Sequence, residues 1–569
     1  MSADGRVKVV LMWHMHQPQY RVADGGTYQE PWVYLHAIKD YVDMVAHLEQ
    51  AKSARAVINF VPVLLDQVAD YSEQVRRFHS TGTAPGDPLL AGLAGSLPAA
   101  PAARRALMKL CVRANRKRMI EPWPVYVRLV EMVEWCEAHE DAFAYLNDDF
   151  LRDLLIWYHL VWLGETIRRE DERVKALLQK AHGFTKAEAG QMLELIGELL
   201  GGLLGRYRAL QDEGRVEISF SPYAHPMVPL LIDWTVAREA QPQIGLPSGV
   251  PYPGGEERAR AQLAAGHASF MRHFGRAPRG CWLSEGGVSR AALGLLDELG
   301  VEWTASGQTV LVHSLGEGGS SEAAGLGPFQ IDDTRVRCFF RDDDLSDRIG
   351  FRYAEWRAED AVSDLVGAIE GRVRAANQTG DVVIPVILDG ENAWEYYAHN
   401  GFYFLHALYE RLGAHPILSL GTFGDVLDRG TAVGRLPRLV AGSWVYGTFA
   451  TWIGSADKNR AWEMLVGAKQ AVDGALGHQT LTPAERAAID RQLMICEGSD
   501  WFWWYGDYNP PESVATFDAL YRAHLRQLYT LIGGEPPACL GQVLGVGHGE
   551  PVRGGTMRAA RDESQGGAA

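Results

Sequence analysis

The sequence predicts an α/β protein organised around a parallel sheet, and three observations predict it. Residues 7–12 (VKVVLM) form a short branched apolar run that ends at His14, His16 and Gln17, as a buried strand does when it delivers side chains to a site. Residues 34–51 then carry apolar positions at helical spacing, and residues 56–63 (AVINFVPV) read as a second buried strand. Strand, helix, strand is the signature of parallel pairing, because a parallel neighbour is reached only by a crossover. Further sheet-like segments follow at 216–220 (VEISF), 280–283, 301–305, 336–340 (VRCFF) and 381–388 (DVVIPVIL). Pro385 lacks a ladder donor, so a bulge or bent strand is expected there.

Between the second and third strands the pattern changes. Residues 81–103 are rich in Gly, Pro and Ala and read as a loop, and residues 104–210 are helical almost throughout, as an insertion into the sheet-forming unit. Residues 316–327 form a Gly- and Ser-rich surface loop. From about residue 401 helical periodicity resumes, with indole-rich loops between helices. The expected organisation is therefore an α/β catalytic unit over 1–400 with its insertion at about 104–210, a helical domain over 401–540, and a small, polar, disordered tail over 541–569.

Composition narrows the function. A net charge of -16 argues against nucleic acid or an anionic membrane as partner, since both require a basic surface. Residues 1–6 carry no apolar signal region and no run of eighteen uncharged apolar residues occurs, so a cytoplasmic protein is expected. The six cysteines lie far apart without a C-x-x-C pair and read as reduced thiols. The 17 Trp, 21 Tyr and 18 Phe are a heavy aromatic load; such rings fill cores, and they also stack on the flat apolar faces of sugars.

Chemistry is suggested where acids follow strands. Glu285 stands after 280–283 and before Gly286 and Gly287, which permit a sharp turn close to a ligand. Asp389 stands after 381–388 in the same way, followed by Gly390 and Glu391. Either acid alone reads equally well as a helix cap or surface charge; two in matching contexts suit glycosidic cleavage, which needs one carboxylate at the anomeric carbon and a second acid at the leaving oxygen. His14 and His16 are two apart on a strand and so point to one side, where they can bind sugar hydroxyls or, with a carboxylate, a divalent metal. Residues 500–506 (DWFWWYG) combine an acid with three indoles, Trp444 and Trp452 add weaker candidates for stacking, and the alternative for all of them is aromatic core packing. Phosphate-loop, H-E-x-x-H and nucleophile-elbow motifs are missing from the sequence.

Together, WHMHQPQY (13–20), VEISFSPYAHPMVPLL (216–231), WLSEGGVS (282–289), FFRDDDLSDRIGF (339–351), LDGENAWEYY (388–397) and EGSDWFWWYGD (497–507) resemble glycoside hydrolase family 57, especially its amylopullulanase and α-amylase-like branch, over nearly the whole chain. The resemblance implies an irregular (β/α)7 barrel with a helical domain closing over the site, and a retaining enzyme that acts on an α-glucan or maltooligosaccharide. It assigns Glu285 as an ionised nucleophile and Asp389 as the acid and base that carries the proton. It places His14, His16, Gln17, His225, Trp282, Glu391, Trp394, Asp500 and Trp503 around the sugar, with Glu217 in a supporting role. Leu283 and Ser284 stand where the family motif has a Pro, which leaves the acid and its glycines in place. Neither cofactor nor metal is expected. The alternatives are a 4-α-glucanotransferase or branching enzyme using the same intermediate, a zinc-dependent deacetylase or mannosidase-like enzyme with His14, His16 and an Asp on the metal, and a non-catalytic glucan-binding protein.

Overall fold

The computed structural model describes residues 7–23, 25–316, 326–376 and 382–549. Most of the loop expected at 316–327 and residues 550–569 of the expected tail lie outside the described residues.

The fold is α/β and is centred on β1 (Val7–Met15), which is buried at every position. One edge of β1 pairs in parallel with β7 (Val383–Asp389) along its length; the other pairs first with β8 (Leu418–Leu420) and then with β2 (Ala56–Phe60). β2 pairs with β3 (Val216–Phe220). From β3 the links continue through single parallel bridges, Phe220 to Cys281 and Gly280 to Trp303, into β4 (Trp303–Gly307), which pairs with β6 (Arg337–Arg341). Asp342 N, just past β6, donates to Pro385 O on β7 at 2.9 Å, so the backbone links return to their start. Strands in such a ring have helices outside and neighbours inside, which is why they read as unbroken apolar runs. A short antiparallel neighbour of β6, β5 (Phe329–Ile331), carries β9 (Gly434–Leu436) at the periphery.

Four details differ from expectation. Residues 280–283 make single bridges and not a ladder, because the chain turns at once into the left-handed Glu285 and Gly286. Pro385 causes no bulge: the register runs unbroken from Lys8–Val383 to His14–Asp389. Lys8 N donates to Val382 O and Gly390 N to His14 O, so the even positions of β7 face β1. The missing donor of Pro385 faces β6, where only its carbonyl is needed. The chain after residue 401 returns to the sheets through β8 and β9, whose three residues are too few to show a period; uninterrupted helix begins at Ala456–His478. Finally, 541–549 is packed, with Leu544 buried and its N–H on Asp518 Oδ1 at 3.2 Å.

The helical part is fastened to the sheet-forming part beside the site. Glu497, at the end of helix Pro483–Cys496, is fully buried and accepts from Arg258 Nε (2.6 Å), Tyr252 Oη (2.6 Å) and Gln262 Nε2 (2.7 Å) of the sheet-forming part. A buried carboxylate is tolerated only with such a donor set. Immediately beyond it Pro226 bridges Gly498, and Ser499 N donates to His225 O at 2.9 Å.

Candidate active site

The strand ends deliver the floor of a cavity of about 890 Å³. The register places His14 beside Asp389. Gly390 permits their approach, since a Cβ there would fall 2.1 Å from Met15 Sδ. His14 Nδ1–H donates to Asn59 Oδ1 at 2.6 Å; that amide oxygen also accepts from Ser221 Oγ, and Asn59 Nδ2 donates to Ser219 Oγ. The network fixes the imidazole with Nε2 as its bare nitrogen. His16 Nε2–H donates to both Asp500 oxygens, at 2.9 and 3.0 Å, and its backbone N–H to Glu391 Oε1 at 3.4 Å.

Glu285 enters on strained backbone, at φ 58° and ψ 24°, and His225 faces it at φ 57°. Non-glycine residues in this region cost about 1–3 kcal/mol each and persist where surrounding structure holds them. Gly286 continues the turn at φ 57°. The carboxylate accepts from Trp444 Nε1 on one oxygen and Ser499 Oγ on the other, both at 3.2 Å. Ser499 Oγ is also 3.0 Å from His225 Nδ1. With Glu285 ionised, the hydroxyl proton lies toward the carboxylate, and His225 Nδ1–H donates to the hydroxyl oxygen.

Electrostatics here are governed by burial and by crowding of acids. Burial, then repulsion from Asp500 and Asp389, pushes Glu285 up to about 8. Burial raises Asp389, opposed by Asn392 Nδ2 donating at 2.7 Å, and raises Glu391 well above the usual carboxylate range. Burial takes His14 down to about 3 and His225 well below its ordinary value, so both imidazoles are neutral. Burial thus raises both Glu285 and Asp389, and acids this close titrate as a coupled set.

His14, His16, Gln17, His225, Glu285, Asp389, Glu391, Asp500 and Trp503 all line this one cavity. Trp282 and Trp394 do not. Trp282 is fully buried, edge-on to Trp444 at 5.2 Å, and Trp394 packs on Trp13 and donates from Nε1 to Gly390 O at 2.9 Å, bracing the turn after Asp389 from behind. Glu217 is also elsewhere, accepting from Trp303 Nε1 and Gly424 N. Asn59, Ser499, Asn392 and the Arg341–Asp343 pair (2.9 Å) were not singled out from sequence. Asn59 had a signal, as the one polar residue in an apolar strand.

The profile of Glycosyl hydrolase family 57 matches residues 10–437. The chain belongs to this family. A 1,4-alpha-glucan branching enzyme of Thermococcus kodakarensis is 35% identical over 85 residues, 15% of this chain and 9% of that protein's length. Among solved structures, a GH57 branching enzyme from Thermococcus kodakaraensis in complex with glucose superposes with a TM-score of 0.56 at 18% identity, covering 92% of this chain and 90% of that one. The GH57-type branching enzyme from Pyrococcus horikoshii gives 0.54 at 16%, covering 96% and 99%. The α-amylase AmyC from Thermotoga maritima gives 0.56 at 14%, covering 93% of each. These likenesses establish a shared α/β fold for this family 57 enzyme. No helix among the described residues is long and apolar enough to cross a membrane.

Proposed function

We propose that this family 57 chain is a retaining enzyme that cleaves α-glucans by double displacement, with Glu285 as nucleophile and Asp389 as acid and base. The observation that carries the reading is the convergence of these two acids, from different segments of one parallel ring, on a cavity whose lining also includes two neutral histidines, Asp500 and the indoles Trp503 and Trp504. Such a wall binds an uncharged polyhydroxylated chain by stacking and hydrogen bonds.

In the first step a Glu285 oxygen bonds to the anomeric carbon as the glycosidic bond breaks, and Asp389 passes its proton to the leaving oxygen. Trp444 Nε1 and Ser499 Oγ hold the nucleophile's two oxygens and favour its anion. In the second step water, or a sugar hydroxyl, gives its proton to Asp389 and displaces Glu285. Transfer to a sugar hydroxyl would make the protein a glucanotransferase or branching enzyme. The local likeness to a branching enzyme supports including that outcome in the test.

Incubation with amylose, maltooligosaccharides and pullulan, followed by sizing and branch-point analysis, separates hydrolysis, disproportionation and branching. Azide rescue assigns the acids: a β-glycosyl azide from Glu285→Ala and an α-glycosyl azide from Asp389→Ala are expected, and the reverse pattern refutes the roles. A zinc-hydrolase reading is raised by the proximity of His16, His225 and Asp500, a set that contains His225 and not His14. Activity abolished by chelation and restored by zinc would replace the retaining mechanism with that one.

A further inference from the structure

The His16, His225 and Asp500 cluster has a property that sugar binding alone does not require. Each residue offers a ligand atom, and the three atoms lie within 4.8 Å of one another on the cavity wall. His225 Nδ1 is engaged by Ser499 Oγ, while Nε2 is buried and has no hydrogen-bond partner. His225 itself is 1% exposed, so this bare nitrogen is held within the protein and not by bulk water. Its ring centre is 4.0 Å from that of His16.

We propose that His16 Nε2, His225 Nε2 and one Asp500 oxygen form a three-ligand site for a transition-metal dication of the Zn²⁺ class, which competes with the sugar and switches the enzyme off. The exclusion of sugar rests on the glucan reading above; binding of the ion does not. Two imidazole nitrogens and a carboxylate oxygen are a common zinc donor set, with the remaining position open to the cavity. Tetrahedral bonds of about 2.0–2.1 Å hold ligand atoms roughly 3.4 Å apart, so side-chain shifts on the order of 1 Å close the site. Binding exchanges the hydrogen bond between His16 Nε2–H and Asp500 for two metal bonds, with the ring proton passing to Nδ1. Ser499, by holding Nδ1 of His225, acts as the outer partner that orients a metal-binding imidazole. The surrounding acids supply a favourable field, since Asp500 and Asp389 already repel the charge of Glu285.

The full-length protein, stripped with chelator, is dialysed against Zn²⁺ and its metal content measured; Co²⁺ is titrated in parallel and its visible absorption recorded. One ion per chain is expected, with a Co²⁺ spectrum of four or five coordination that maltooligosaccharide abolishes. His225→Gln and Asp500→Asn lose the ion while keeping the wild-type circular dichroism, and Ser499→Ala weakens it about tenfold. In turnover assays Zn²⁺ raises KM and leaves kcat unchanged. Failure to bind a stoichiometric ion overturns the site and leaves the glucan reading untouched, as does equal binding by the His225 and Asp500 variants. An ion whose binding is indifferent to maltooligosaccharide overturns the competition, and an ion needed for turnover overturns both this inference and the retaining mechanism.

Discussion

The two halves of the cavity are built by different means. His14 and Asp389 stand at the ends of β1 and β7, where a seven-residue parallel register fixes each backbone position, and His16 lies two residues past His14 with its backbone N–H on Glu391. Ser499, Asp500 and Trp503 come instead from a five-residue helix, Ser499–Trp503, held over the floor by one main-chain bridge beside His225, by side-chain hydrogen bonds and by the Glu497 anchor. The ladder half is placed by main-chain bonding that few substitutions disturb, whereas the helical half depends on a small number of polar contacts. Glu285 joins them: its backbone belongs to the sheet-forming part, and one of its carboxylate oxygens is held from the helical half by Ser499. On the proposed mechanism the reacting acids thus stand on the strand side of the cavity, and the contacts that tune Glu285 come partly from the helical side.

The largest effects come from removing the chemistry itself. Glu285→Gln and Asp389→Asn each lower kcat by about a thousandfold or more on the preferred glucan, measured by reducing-end release or product sizing. Next comes the anchor of the helical half. Glu497→Ala strips three donors of their shared acceptor and leaves the half-buried Arg258 with Asp490 as its remaining acid. A loss of about 3 kcal/mol in unfolding free energy is expected, together with a kcat/KM reduced more than kcat, because Asp500 and Trp503 no longer sit over the sugar. Unaltered denaturant midpoints would show that the helical half is held by its apolar packing instead.

The same contrast explains what could be read from sequence. The ladder half was legible: β1 and β7 are long buried runs, and the polar residues at their ends declare themselves against the apolar background. The helical half was legible only as a motif around Asp500, because its placement depends on Glu497, Arg258 and Tyr252, which meet across 239 and 245 positions of sequence. Trp282 and Trp394 show a further limit. Proximity in sequence to Glu285 and Asp389 does not reveal which way a ring faces: both rings turn inward, Trp394 to brace the turn after Asp389 and Trp282 to pack against Trp444. The segment at 280–283 and strands β8 and β9 were missed or misread because one to three paired residues leave no periodic trace.

Ser499→Ala tests the join between the halves with a smaller effect. The hydroxyl donates to Glu285 Oε1, so its removal disfavours the carboxylate and raises its pKa further. The acid limb of kcat/KM reports the free enzyme and is expected well above the ordinary glutamate range, toward 8 in the wild type. In the variant it moves up by about one unit, the lower end of what a hydrogen bond to a charged group contributes. Ser499→Thr restores it. A limb that stays in place while activity falls would make Ser499 a packing residue only.

The smallest effect is on stability, and its sign is set by the direction of the Glu285 shift. Folding raises this group from the ordinary glutamate value to about 8, so the native state binds more protons than the unfolded chain between those two values. Stability therefore falls as pH rises through that interval, because the buried carboxyl must either keep a proton scarce in solution or become an anion among Asp500 and Asp389. Glu285→Gln removes the titration while keeping the shape and both hydrogen-bonding positions. Its melting temperature should match the wild type near pH 5 and exceed it by about 2 °C or more at pH 8.5. Equal differences at the two pH values would mean that Glu285 is already ionised at pH 5, and that the helical half, through Ser499, stabilises the anion more strongly than the surrounding acids oppose it.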